Sequence, residues 1–187
     1  MPPADLSLIL PDDSTQEPFY DMDITLNDLD RRIWDEELAD FVPLDITDVH
    51  THLYDWRPDS PDVHSEAPVE PGHGICPLAD WASLNALDAV LLPGRAVHRI
   101  AFASPLQPAP PEQTNRFAAR QVARDPESVA LMHVRPAMSA DQLAEQVVRF
   151  GFRGFKPYRV HAASGDTVEC RIPDFLPESQ IAVADRF

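Results

Sequence analysis

VALMHVRPAMSADQLAEQVVRFGFRGFKPYRV, residues 129–160, reads as a strand, a helix and a second strand in one run. Val129 to Arg135 is mostly apolar and is closed by Pro136, which cannot donate to a sheet ladder and so ends it. Ser139 and Gln142 stand at capping-box spacing, in which each side chain satisfies a free backbone N–H at a helix start. Gly151 falls where a helix stops on a left-handed residue. Arg153 to Val160 supplies the next strand. Strands separated by a helix pair in parallel, because a tight hairpin can join only antiparallel ones.

The same alternation extends toward both ends. LDITDVHTHL, residues 44–53, is a strand, and Pro77 opens a helix through Trp81, Leu84, Leu87, Ala89 and Leu91 that closes at Pro93 and Gly94. Val97 to Ala103 is a second strand, followed by a helix from Glu112 to Arg124 that Asp125 and Pro126 stop. A last helix begins in LPESQIAVADRF, residues 176–187. Four βα units thus fill residues 44–187, about half to two thirds of the roughly 250 residues of an eight-stranded barrel. The expected fold is α/β: the N-terminal half of a TIM-like (β/α)8 barrel, truncated after the fourth βα unit. Residues 1–43 form a separate unit, an irregular acidic arm to about residue 24 and an amphipathic helix from Asn27 to Phe41.

Composition narrows the partners. The chain has 187 residues, 44% of them hydrophobic, enough for a core. Its 31 acidic against 15 basic residues give a formal charge of −16, which repels phosphate backbones and anionic lipids, so neither nucleic acid nor membrane is expected as a partner. Fourteen of those acids precede His50, against Arg31 and Arg32 alone, so most of the charge belongs to the N-terminal unit. No apolar run approaches the roughly 18 residues of a membrane helix, and the N-terminus lacks a basic signal region, so a cytoplasmic location is expected. Cys76 and Cys170 stand far apart and read as ordinary thiols.

The sharpest chemical signal is DVHTH, residues 48–52. Side chains alternate along a strand, so His50 and His52 leave the same face about 7 Å apart, within reach of one metal ion. Neutral imidazoles suit Zn2+, and the pair ends a strand where α/β active sites gather. Two solvated histidines at a strand end are the plain alternative. In the loop from Leu53 to Pro77, Trp56 and Arg57 are candidates to cover a substrate, and Pro58, Pro61, Pro68, Pro71 and Pro77 suggest a stiff lid. His64 and His73 in that loop could add to a zinc shell but read as exposed. His98 and His133 fall within strands and read as satisfied core or interior histidines. No phosphate-binding glycine loop and no G-x-S-x-G elbow is present.

The DVHTHL strand, together with NRFAARQVARDPESVALMHVRPAMSADQLAEQVVRFGFRGFKPY at residues 115–158, resembles the amidohydrolase-related hydrolases, a family that includes aminocarboxymuconate-semialdehyde decarboxylase. That resemblance covers residues 44–187 and implies a TIM-like barrel holding a divalent metal, usually zinc, with His50 and His52 as its first two ligands. The family's further histidines and its aspartate, after later strands, have no counterpart here. The resemblance implies hydrolysis of a C–N or C–O bond in a small cyclic substrate by metal-activated water, impaired in this chain. Metal-dependent decarboxylation of an aromatic or muconate-type acid is the alternative within the family. Lys156, the only lysine, ends the fourth strand and could contact a substrate anion, bridge metals as in part of the superfamily, or simply be a strand-end cation. Arg159 and His161 are expected to continue that strand toward the same mouth. A different class of reading is an inactive half barrel that self-associates through its exposed sheet edge.

Overall fold

The computed structural model describes residues 25–57, 59–64 and 76–187. The expected arm to residue 24, His73 and Pro58, Pro68 and Pro71 lie outside the described residues. In chain order come α1 (Asp28–Ile33) continuing as a π-helical segment (Trp34–Leu38), β1 (Asp45–Asp55), β2 (Leu78–Ala79), α2 (Trp81–Leu91) and β3 (Ala96–Ala103). Then follow α3 (Pro111–Val122), β4 (Val129–Ala130), β5 (Met132–Val134), α4 (Ala140–Phe150), β6 (Phe155–Pro157), a 3-10 turn (Arg159–His161), α5 (Ile172–Phe175) and α6 (Glu178–Ala184). The fold is mixed α/β with a largely parallel sheet.

β1, β3 and β4 pair in parallel, as do β5 and β6, while β2 adds a short antiparallel edge beside Tyr54 and Asp55. The third strand, expected as one run from Val129 to Arg135, changes neighbours at Leu131. Ala130 ends the ladder to β3, Met132 begins the ladder to β6, and the Leu131 N–H still donates to the Ala101 carbonyl at 2.9 Å. Beyond that point, the His133 N–H donates to Asn115 Oδ1 at 2.8 Å, and Asn115 Nδ2 donates to the His133 carbonyl at 2.9 Å. One buried amide on α3 thus supplies the pair of bonds that a neighbouring strand would give.

The strands are two-faced. Leu53, Ala101, Ala103, Ala130, Met132 and Val134 turn into a core with Phe117, Ala118 and Val122 of α3 and Leu143, Val147 and Phe150 of α4. The intervening residues His52, Phe102, His133 and Lys156 are not members of that core and gather instead through ring and cation contacts among themselves. Full burial of a Leu such as Leu143 stabilises by about 1.5–3 kcal/mol, so the helix-covered face carries most of the apolar stabilisation. α4 starts and ends as its sequence demands, with the Ser139/Gln142 capping box and Gly151 at φ 72°. The buried Gln180 amide of α6 donates to the carbonyls of Arg135 and Met138, seating that helix on the loop after β5.

Several boundaries differ from the sequence expectation. Pro77 does not open α2: its carbonyl accepts from the Trp56 N–H at 2.8 Å, and Asp80 caps the helix through the Ser83 N–H. The fourth strand is three residues long rather than eight, and Arg159 to His161 turn instead of extending. There Arg159 donates to the Val168 carbonyl, which folds the chain back. The described part of the loop after β1 is no lid. Asp62 pairs with Arg120 at 2.5 Å, the His64 N–H donates to Gln113 at 2.9 Å, and Val63 is buried in the core, so this stretch lies against α3. No helix among the described residues is long and apolar enough to cross a membrane.

Arg95 clips the N-terminal helix, whose Trp34 is buried, to the body. Arg95 donates from Nε to the Val42 carbonyl at 3.1 Å and from a terminal nitrogen to the Ala39 carbonyl, and its guanidinium lies 5.0 Å from the Trp34 ring. Arg95→Ala should detach the segment from Arg31 to Val42, costing about 1–3 kcal/mol of local stability. Hydrogen exchange would show those amides losing protection while β3 keeps its own. Equal protection in variant and parent would refute the clip.

Candidate metal and ligand site

β1 carries the two histidines, but with an irregularity. Asp48 pairs with Arg99 and Thr51 with Ala101, so three steps on β1 match two on β3 and the strand bulges at Val49 and His50. Asp48 stabilises the bulge, accepting from the His50 N–H at 2.9 Å and the Thr51 hydroxyl at 2.7 Å. His50 and His52 nevertheless share a face, with ring centroids 5.2 Å apart. Both stand edge-on to Phe102, at 4.9 and 5.0 Å.

The opposite wall comes from β5, β6 and the turn after it. The register places His133 beside Lys156. Tyr158 meets the His133 ring edge-on at 5.4 Å and lies 6.2 Å from His52, while His161 stacks on His133 at 4.9 Å. The histidine pair, Phe102, Lys156, Tyr158, His133 and His161 therefore form one polar and aromatic cluster on the face that the helices leave uncovered. Beside it opens a cleft of about 750 Å³ lined by His52, Tyr54, Ser104, Pro105, Leu106, Pro157, Tyr158, Arg159 and Val160.

Burial shifts four of these side chains, His52, His133, Tyr158 and His161. It holds His133 neutral, lowering its pKa to about 3, with His161, Arg135 and His52 adding positive charge that acts the same way. Burial followed by His50 and Lys156 lowers His52, and burial followed by Arg135 lowers His161. Burial also pushes the Tyr158 hydroxyl up. Neutral imidazoles are the form that binds metal.

The other candidates are placed elsewhere. Trp56 is buried and stacks on Tyr54 at 4.7 Å, and Arg57 donates three hydrogen bonds to Asp55, one from its backbone and two from its guanidinium; neither lines the cleft. His64 is exposed. His98 pairs with Asp125 at 2.8 Å near the start of β3, at the other end of that strand from Phe102. Interior placement of His133 matches its expected position, but satisfaction does not: both ring nitrogens are buried without a hydrogen bond. Asn115, which fixes the backbone of His133, and Tyr158 were missed. The available signal was an Asn on the buried side of a helix whose neighbours Phe117 and Ala118 face the core.

Among the described residues, no third His, Cys, Asp or Glu joins the histidine pair in a group able to hold a metal ion. With ring centroids 5.2 Å apart, His50 and His52 remain the candidate pair for a metal ion. Comparison with known protein families, curated proteins and solved structures finds no match to this chain.

His133 gives a pH signature to the metal-free protein. The unfolded chain takes a proton on this ring near pH 6.5, whereas the folded chain resists it down to about pH 3. Stability is therefore full above the unfolded value and falls on acidification, by up to about 1.4 kcal/mol per pH unit between the two values. His133→Leu should flatten urea-unfolding free energy measured between about pH 6 and about pH 4 by up to that slope. An unchanged slope would show that other groups govern acid unfolding.

Proposed function

We propose that this chain is part of a metal-dependent hydrolase of the amidohydrolase type, with its sheet as the first half of a TIM-like barrel and the cytoplasm as its compartment. The carrying observation is the pairing of His50 and His52 on the uncovered face, 5.2 Å apart between ring centroids. In such an enzyme the two imidazoles would hold Zn2+ or another divalent ion. The metal would supply an activated water to attack a C–N or C–O bond of a small substrate. The chain's own contributions are the two imidazoles, a bulge whose His50 N–H is held by Asp48, and the adjoining cleft. A third ligand and a proton-accepting carboxylate have to come from outside the described residues, so catalysis by these residues alone is expected to be weak.

Zinc titration tests this reading. Isothermal calorimetry should detect binding that His50→Ala or His52→Ala weakens at least tenfold, since losing even an outer-shell partner typically costs about 10–100-fold. Binding that survives both substitutions would place the metal elsewhere and remove the reading.

A second reading rests on the sheet edge. β6 pairs only with β5 among the described residues, and the cleft beside it exposes Leu106 and Val160. An open parallel edge beside exposed apolar side chains favours association with another copy. Light scattering should then report a mass near twice that of the chain, falling on dilution. A monomer throughout the micromolar range would exclude it.

A further inference from the structure

No described residue covers the cleft beside His52, although its wall is apolar. Pro105, Leu106, Pro157 and Val160 line it, with Leu106 58% and Val160 48% exposed. Apolar surface left open beside polar groups marks a contact site. The charge around it has one sign. No Asp or Glu lines the cleft, and the charges that act on His52, His133 and His161 come from one another and from His50, Lys156 and Arg135, all basic groups. In a chain of formal charge −16, this face is a local reversal of sign. A cover that suits it is apolar and acidic together.

The chain carries such a stretch ahead of its described part. MPPADLSLILPDDSTQEPFYDMDI, residues 1–24, holds Asp5, Asp12, Asp13, Glu17, Asp21 and Asp23 and no Lys, Arg or His. Its apolar run of Leu6, Leu8, Ile9 and Leu10 is flanked by Asp5 on one side and by Asp12 and Asp13 on the other. The length also matches. The chain enters the described fold at Thr25, one short helix away from Arg95, which precedes β3, whereas the cleft lies past the other end of β3 at Ser104. Passing that helix and the 8 residues of β3 takes about 40 Å. The 15 residues from Leu10 to Thr25 extend to about 50 Å, so the apolar run reaches the cleft. A second copy docked face to face would instead set these basic groups against themselves.

We propose that residues 1–24 dock on this face, with Leu6, Leu8, Ile9 and Leu10 in the cleft against Leu106 and Val160 and with Asp5, Asp12 and Asp13 toward the basic groups around it. The segment then occupies the approach to His50 and His52 and excludes other ligands until it is displaced, which is an autoinhibitory contact. Docking itself does not depend on the hydrolase reading.

The full chain supplies its own probe, because Lys156 is its only lysine and Nζ lies 4.5 Å from the ring of Tyr158, which lines the cleft. Carbodiimide coupling joins an amine to a carboxylate in contact with it. It should link Lys156 to Asp5, Asp12 or Asp13 within one chain, read by peptide mass spectrometry. The Leu8→Asp, Ile9→Asp double variant should lower that product at least about tenfold, since each change removes an apolar side chain from the cleft. In the same variant the methyl NMR signals of Leu106 and Val160 should move. The parent signals should hold on about tenfold dilution, because a tether sets the local concentration. A covalent dimer as the main product, or parent signals that move on dilution, overturns the proposal and assigns the face to a second copy. Absence of any product between Lys156 and residues 1–24 overturns it too, as does a product or a pair of methyl signals that the double variant leaves unchanged.

Discussion

The grip of the Asn115 amide on both main-chain groups of His133 is the interaction on which the site depends. β5 has lost the neighbour that β4 had, and without Asn115 its outward N–H and C=O would be buried and unpaired, at about 1–3 kcal/mol each. Through β5 the same bonds position β6, because His133 and Lys156 are register partners. Tyr158 and His161 then follow from where β6 ends. Asn115 can do this because α3 packs on β1, β3, β4 and β5 at once, so a single rigid helix references both halves of the sheet to each other.

What the sequence made legible follows from local rules. Alternating strands and helices, the Ser139/Gln142 cap, the Gly151 stop and the shared face of His50 and His52 are each decided within a few residues, and each is present in the fold. The split of the third strand was not legible, because a partner change at Leu131 is set by the stagger of β3 against β6 and leaves the apolar pattern of Val129 to Val134 unaltered. Nor was the turn at Arg159 to His161, where an Arg159 bond to the distant Val168 carbonyl overrides an extended preference. Arg99 illustrates the same limit. A strand-centre arginine reads as surface, yet it is buried against the Trp81 ring at 4.7 Å and paired with Asp88 on α2.

Charge is divided along the same line. The helix that Arg95 clips to the body carries Asp28, Asp30, Asp35, Glu36 and Glu37, while the uncovered face of the sheet gathers His50, His52, His133 and Lys156. Exposed acids separated by more than about 8–10 Å from that face are largely screened at physiological salt. Half-buried groups are screened much less, so the local field at Lys156 is governed by its immediate neighbours rather than by the −16 of the whole chain. Net acidity of the chain therefore does not oppose a small anion at this face.

The two faces of the sheet also differ in how their buried polar groups are placed. On the helix side, burial is mostly apolar; the Asn115 amide and Gln180 Nε2 are bonded to backbone, while Gln180 Oε1 has no partner among the described residues. On the other side, unpaired buried atoms at His133, Tyr158 and His161 each subtract from stability, by about 1–3 kcal/mol for a group left unsatisfied. Nothing in packing requires that cost, since an apolar side chain of similar volume at His133 would fill the same space beside Tyr158 and His161. Three neighbouring side chains on that face thus give up stability beside an open cleft, a cost that a bound ligand would offset.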